Sequence, residues 1–287
     1  MAVSVVDMHG STMRDANLET AGKLQKLLDE LSATRGHTGE ARHSHYNSVL
    51  VSVQATLGDV PLVHGMTSVP DLLRVFSDGC LRGRRDRSPE RGAMKPEHIL
   101  GIPSCIYTAA GVLYPERNVA LVFRSSVETD NEVSASPWDS GHFCNAQQGS
   151  LRDLSQEQRR SLFWSHSLPS PAYREYLVHY VASCFDSATD YIDNRPHRYA
   201  DPLGALTHDR WQSRIFEVRV RERLTVDAPR LLAVFIPRYH RVTFTEDFDR
   251  HEQALEGAGV SIRYYGTREK LKSVVSSWMR SHLGITK

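Results

Sequence analysis

From Leu18 onward, apolar residues recur as Leu18, Ala21, Leu24, Leu28 and Leu31, the spacing of an amphipathic helix. Residues 1–16 are polar and irregular and read as a frayed start, and 32–48 lack a period and read as a loop. SVLVSVQAT (48–56) is β-branched and alternating, which predicts a strand, and GDVPLVHG (58–65) predicts a second, shorter one. Ser68, Pro70 and Gly79 are start and stop signals around a helix whose buried face is Leu72, Leu73 and Phe76. CIYTAA (105–110) and NVALVFRS (118–125) predict strands, whereas 126–150 reads as a long loop of the kind that carries function. Helices are expected near 155–165 and 171–192. RIFEVRVRE (214–222) alternates, with Ile215, Glu217, Arg219 and Arg221 set against Phe216, Val218 and Val220. A buried strand at 231–237, a helix at 246–259, a strand at 260–266 and an amphipathic helix at 268–283 complete the chain. Strands and helices interleave without a strict βαβ rhythm, which argues for an α+β fold. The expected organisation is an N-terminal helical extension over 1–47 and one larger domain over 48–287, carrying a long insertion near 126–210.

Composition narrows the function. Lys+Arg 35 against Asp+Glu 34 leaves a formal charge of +1 over 287 residues, so general grip on a phosphate backbone is not the main activity. The apolar runs are strand length, far short of the ~20 residues of a membrane span. No secretory signal pattern is read at the N-terminus, so a cytoplasmic protein without membrane partners is expected. Cys80, Cys105, Cys144 and Cys184 are too widely spaced for a zinc site or a dense disulfide framework and read as reduced thiols. His43 and His45 form an HxH pair, for which a solvated linker is favoured over a metal site; no metal is expected.

Four segments carry candidate chemistry. In LVHGMTS (62–68) a strand ends in His64-Gly65 and a helix begins after Thr67 and Ser68. Gly65 allows close approach to the backbone, and the helix start offers free N–H groups. A plain strand-turn-helix junction with a satisfied histidine is the alternative. In IYTAAG (106–111), Tyr107 is followed by small residues and can stack on a planar ligand, or be an ordinary core tyrosine. Glu217 lies between apolar neighbours and needs a partner or a ligand, although a solvated Glu–Arg ladder would explain the alternation. SPWDSGHFC (136–144) gathers Trp138, Asp139 and His142 in nine residues and reads as a substrate-side element or a structured surface loop. The Arg-rich run at 82–91 is a solvated loop or a local phosphate contact.

In this order, the segments resemble the ADP-ribosyltransferase fold. VHGMTSVPDLLRVFSDGCLRG resembles its opening turn and helix, CIYTAAG its tyrosine-bearing strand, and IFEVRVRERLTVDAPRLLAVFIP the segment of the catalytic glutamate in DarT-like bacterial members. The resemblance touches roughly residues 60–240 and implies a split β-sheet core with flanking helices. His rather than Arg in the opening motif places the chain on the diphtheria-toxin and poly-ADP-ribose-polymerase side. The resemblance implies NAD+ as substrate, Glu217 as the catalytic residue, and His64, Gly65, Thr67, Ser68 and Tyr107 as NAD+-binding residues.

It also implies transfer of ADP-ribose to a macromolecule, a protein or a nucleic acid, by a bacterial toxin or defence effector with an antitoxin or regulatory partner. Members that modify arginine carry Glu or Gln two residues before the catalytic Glu. Ile215 stands there, so the acceptor is expected to be something other than a protein arginine, with Trp138 or His142 touching it. An NAD+ glycohydrolase, or a binding module without turnover, remain the alternatives.

Overall fold

A computed structural model describes residues 5–36, 40–83, 99–102, 104–114, 116–144, 153–196, 215–239 and 245–285. The chain opens with two helices, α1 (Val5–Gly36) and α2 (Glu40–Leu57). They correct three expectations, the irregular start over 1–16, which is helical from Val5, the loop over 32–48 and the strand over 48–56. The valines at 49, 51 and 53 suggested a period of two. The stripe that is buried is Tyr46, Val49, Val53 and Leu57, a helical period, and Val51 is left 70% exposed. The expected boundary between 47 and 48 therefore falls inside α2.

There follow β1 (Leu62–Met66), α3 (Val69–Asp78), β2 (Cys80–Arg82), β3 (Cys105–Ala110), β4 (Val119–Phe123), β5 (Val133–Ser136), α4 (Ser140–Cys144) and α5 (Gln156–Ser165). Then come β6 (Leu168–Pro169), α6 (Ala172–Cys184), α7 (Ala188–Ile192), β7 (Glu217–Arg221), β8 (Arg223–Thr225), β9 (Leu231–Pro237), α8 (Thr245–Gly257), β10 (Ser261–Tyr265) and α9 (Arg268–His282). The start and stop signals of α3 hold. The Ser68 hydroxyl accepts from the Asp71 amide, and Gly79 takes the left-handed conformation, φ 63°. The helix expected over 171–192 is divided because Phe185 is extended and Ser187 caps a new helix. The expected loop over 126–150 contains β5 and α4. A four-residue strand gives little signal on its own, and the partner that orders this one, β7, lies far along the chain.

The architecture is mixed α and β, built on one eight-stranded sheet in the order β10-β9-β4-β1-β3-β7-β5-β6, with β2 and β8 forming a separate pair. β9 and β10 run parallel across α8, and the other neighbours are antiparallel. Alternation along β7 sends its two sets of side chains to opposite layers. Phe216, just before β7, packs on Tyr173, Tyr176 and Tyr180 of α6. Arg219 faces α5 instead, with its guanidinium carbon 4.7 Å from the Phe163 ring centre. α1 and α2 join the main core through Leu27, Leu31, Tyr46, Val53 and Leu57. A smaller core of Leu100, Ile102, Cys105, Trp138, Phe143, Cys144 and Phe163 lies beneath α4 and α5. The four cysteines are buried and unbridged.

Candidate active site

β1 and β3 are paired at only two positions, Leu62 with Ala110 and Val63 with Ala109. Beyond them β1 stays with β4 and β3 stays with β7, so the central sheet has a seam. His64 bridges it. Its Nδ1 lies 2.8 Å from the Tyr107 carbonyl oxygen, so the ring donates there and takes the place of a missing backbone rung. With Nδ1 carrying the proton, Nε2 of the uncharged ring is an acceptor. The register extrapolates Gly65 to the level of Tyr107 across the seam.

Across β3, β7 and β5 the registers align two rows of side chains on one face. Ala109, Glu217 and Ser136 form one row, and Tyr107, Arg219 and Ser134 the next. Glu217 is only 2% exposed. Its Oε2 accepts from the Tyr114 hydroxyl at 3.1 Å, and from the Ser140 amide at 3.2 Å and hydroxyl at 3.1 Å. Its Oε1 accepts from Arg219 Nη1 at 3.0 Å and, among the described residues, from no other donor. Arg219 is buried too, and donates to Ser134 at 3.2 Å, Ser136 at 2.8 Å and Ser167 at 3.2 Å.

Burial and the ion pair act on Glu217 in opposite directions. Loss of hydration favours the neutral acid, the nearby Asp139 charge adds to that, and Arg219 and the Ser140 amide favour the anion. Burial is the larger effect, and the carboxyl is pushed up to about 7. Burial likewise pushes the Tyr114 phenol well above its ordinary value, so it stays a donor. The Cys105 thiol, at the start of β3, is pushed up to about 11 by burial. A carboxylate poised near neutrality on a dry, donor-lined face can serve as acid, base or charge stabiliser.

The structure brings His64 and Tyr107 together, and links Tyr107 through its neighbour Arg219 to Glu217. Asp139 acts on Glu217 by its charge. Thr67 is exposed, and its carbonyl accepts from Asn118 at 2.7 Å. Ser68 is engaged as the cap of α3. Trp138, expected to meet an acceptor, is 1% exposed and packs on Phe143 and His166. That is a core position, because its indole fills the small cluster beneath α4. The His142 side chain and Arg84, Arg85, Arg87 and Arg91 of the basic run lie outside the described residues. His45 is helical and pairs with Asp186 at 2.8 Å, so the HxH segment is no linker. The Glu–Arg ladder of β7 is buried at Glu217 and Arg219, and only Arg221 is exposed.

Tyr114, Ser140 and Arg219 were not singled out as site residues from sequence. Arg219 had a signal, since it shares the alternating face of Glu217, and Ser140 lies inside the nine-residue segment at 136–144. Tyr114 had none. Among the described residues, no cluster of three or more His, Cys, Asp or Glu side chains is placed to hold a metal. No helix among them is long and apolar enough to cross a membrane. No known protein family matches this chain, and no curated protein is significantly similar to it.

Proposed function

We propose that this chain is an NAD+-dependent ADP-ribosyltransferase with an ADP-ribosyltransferase-like α+β core. One observation carries the reading. The three residues its motifs nominate, His64, Tyr107 and Glu217, stand on three strands in the order β1, β3, β7, two of them neighbours at a seam and the third one strand away. In this reading Tyr107 stacks on the nicotinamide ring, the Gly65 backbone takes the carboxamide, and His64 Nε2 accepts from a ribose hydroxyl. Ionised Glu217 accepts from the 2′-hydroxyl of the other ribose through Oε1, which has one donor among the described residues and lone-pair capacity for another. As the bond to nicotinamide breaks, positive charge grows on the ribose, and the buried carboxylate stabilises it. Arg219, Ser140 and Tyr114 hold the carboxylate in place, so little reorganisation is needed.

The acceptor proposed is a macromolecule other than a protein arginine, with protein slightly ahead of nucleic acid. Ile215 is fully buried and offers no polar group beside Glu217 to orient a guanidinium. The test is nicotinamide release from labelled NAD+ in a cell extract, followed by protease or nuclease digestion of the labelled product. Glu217→Gln keeps the shape and removes the charge, and should lower release by ~10²-fold or more while the protein still melts cooperatively. Wild-type release from Glu217→Gln would remove the catalytic assignment. Release without any labelled macromolecule would mean that water is the acceptor.

A further inference from the structure

Between β3 and β4 the chain crosses over β1, and this crossover carries Tyr114 and Arg117. Asn118 fastens its end to β1, the Asn118 amide donating to Met66 and its side chain to Thr67. The carbons of Arg117 lie directly on Gly65. A Cβ added to that glycine would stand 2.5 Å from Arg117 Cγ and 3.0 Å from Cδ. The guanidinium carbon lies 5.9 Å from the centre of the Tyr114 ring, the residue that donates to Glu217.

The surroundings of Arg117 set it apart. Every other arginine among the described residues that is not exposed holds an acceptor. Arg159 donates to the Cys144 carbonyl. Arg174, Arg219, Arg230 and Arg280 hold carboxylates. Arg117 is half-buried, its methylenes lie on Gly65 and its guanidinium beside the Tyr114 ring, and among the described residues no carboxylate or carbonyl accepts from it. Even the adjacent Glu116, exposed and at φ 58°, makes no ion pair with it. None of its nitrogens is a buried atom without a partner, so the guanidinium reaches solvent from beside the aromatic face and can receive an anion there.

We infer that Arg117 binds the diphosphate of the dinucleotide whose nicotinamide end lies along Gly65 and Tyr107. The inference rests on the proposed function and gives it the anion contact that His64, Tyr107 and Glu217 do not supply. A ligand that lies over the face of Gly65 must displace the Arg117 methylenes, which stand where a Cβ would be. An uncharged ligand would only remove the cation from its ring. A ligand with a diphosphate gives the displaced guanidinium a planar, charge-assisted, two-point partner in exchange. The residue that covers the glycine in the empty site thus selects for substrates bearing phosphate.

Calorimetric titration of wild type, Arg117→Lys and Arg117→Ala with NAD+, ADP-ribose, inorganic pyrophosphate and nicotinamide riboside tests this. In Arg117→Ala, NAD+ and ADP-ribose should bind about tenfold or more weakly. Arg117→Lys should recover part of the loss. Nicotinamide riboside, which has no phosphate, should bind Arg117→Ala no more weakly than wild type, because the alanine uncovers Gly65. In turnover, KM for NAD+ should rise by a larger factor than kcat falls. Equal NAD+ affinity in wild type and Arg117→Ala would overturn the inference and leave the transferase reading standing. An equal loss of affinity for the riboside would also overturn it, by showing a packing role. Arg117-dependent binding of ADP-ribose and pyrophosphate, without any release of nicotinamide from NAD+, would support the anion site and end the transferase reading.

Discussion

Glu217 has two opposing demands on its proton. The proposed reaction needs the anion, and burial favours the acid, so that the carboxyl is pushed up to about 7. Nicotinamide release should therefore rise as pH increases through about 7. Asp139→Asn removes a negative charge that favours the proton, so it should move this rise to lower pH; an unmoved profile would mean that Glu217 does not set it. The same shift affects stability with a definite sign. The folded state binds this proton more tightly than the unfolded chain, so the contribution is fully present below the ordinary carboxyl range and is lost as pH rises through about 7. Comparing thermal melts of Glu217→Gln and wild type across that window would expose the linkage, because the glutamine variant should lose this pH-dependent component.

At the scale of elements, the strongly patterned segments were legible. α3 announced itself by its cap, its proline and its closing glycine, and β9 by an unbroken apolar run. α2 misled, because alternate valines occur in it by position while the helical stripe was spread more thinly over Tyr46, Val49, Val53 and Leu57. The two periods make different predictions. Leu57→Ala, at a fully buried position, should cost about 2–5 kcal/mol. Val51→Ala, although β-branched and between two other valines, should stay within about 0.5 kcal/mol of wild type. Chemical denaturation of the two variants measures this directly. β5 was illegible for another reason. Its serines at 134 and 136 look like loop residues until Arg219 is placed opposite them to use their hydroxyls.

For the whole molecule, α1 is joined to the candidate site through a chain of hydrogen bonds. Lys23 Nζ donates to the carbonyls of Trp164 at 2.5 Å and Ser167 at 2.6 Å, and Glu30 reaches His166 Nε2 at 3.3 Å. The Ser167 hydroxyl in turn accepts from Arg219, which holds Glu217. Sequence could nominate α1 as an amphipathic helix, but no local pattern states which distant turn it clamps. Lys23→Met should loosen that turn, with a loss of about 1–3 kcal/mol from two carbonyls deprived of a charged donor. Nicotinamide release should fall more than NAD+ affinity does. An unchanged rate in a destabilised but folded variant would show that the clamp ends at the turn.

The place of β7 in the sheet also has a consequence for how the chain is made. β3 and β5 precede it by many residues, yet each has β7 as a neighbour, so both must wait with an open edge until 217–221 arrives between them. Pairings of such sequence separation form slowly and late. The strand that closes those edges is the one that carries Glu217 and Arg219. A nascent or shortened chain that lacks it therefore has an unfinished sheet and no carboxylate in the candidate site at once, so that the proposed activity would also report completed folding.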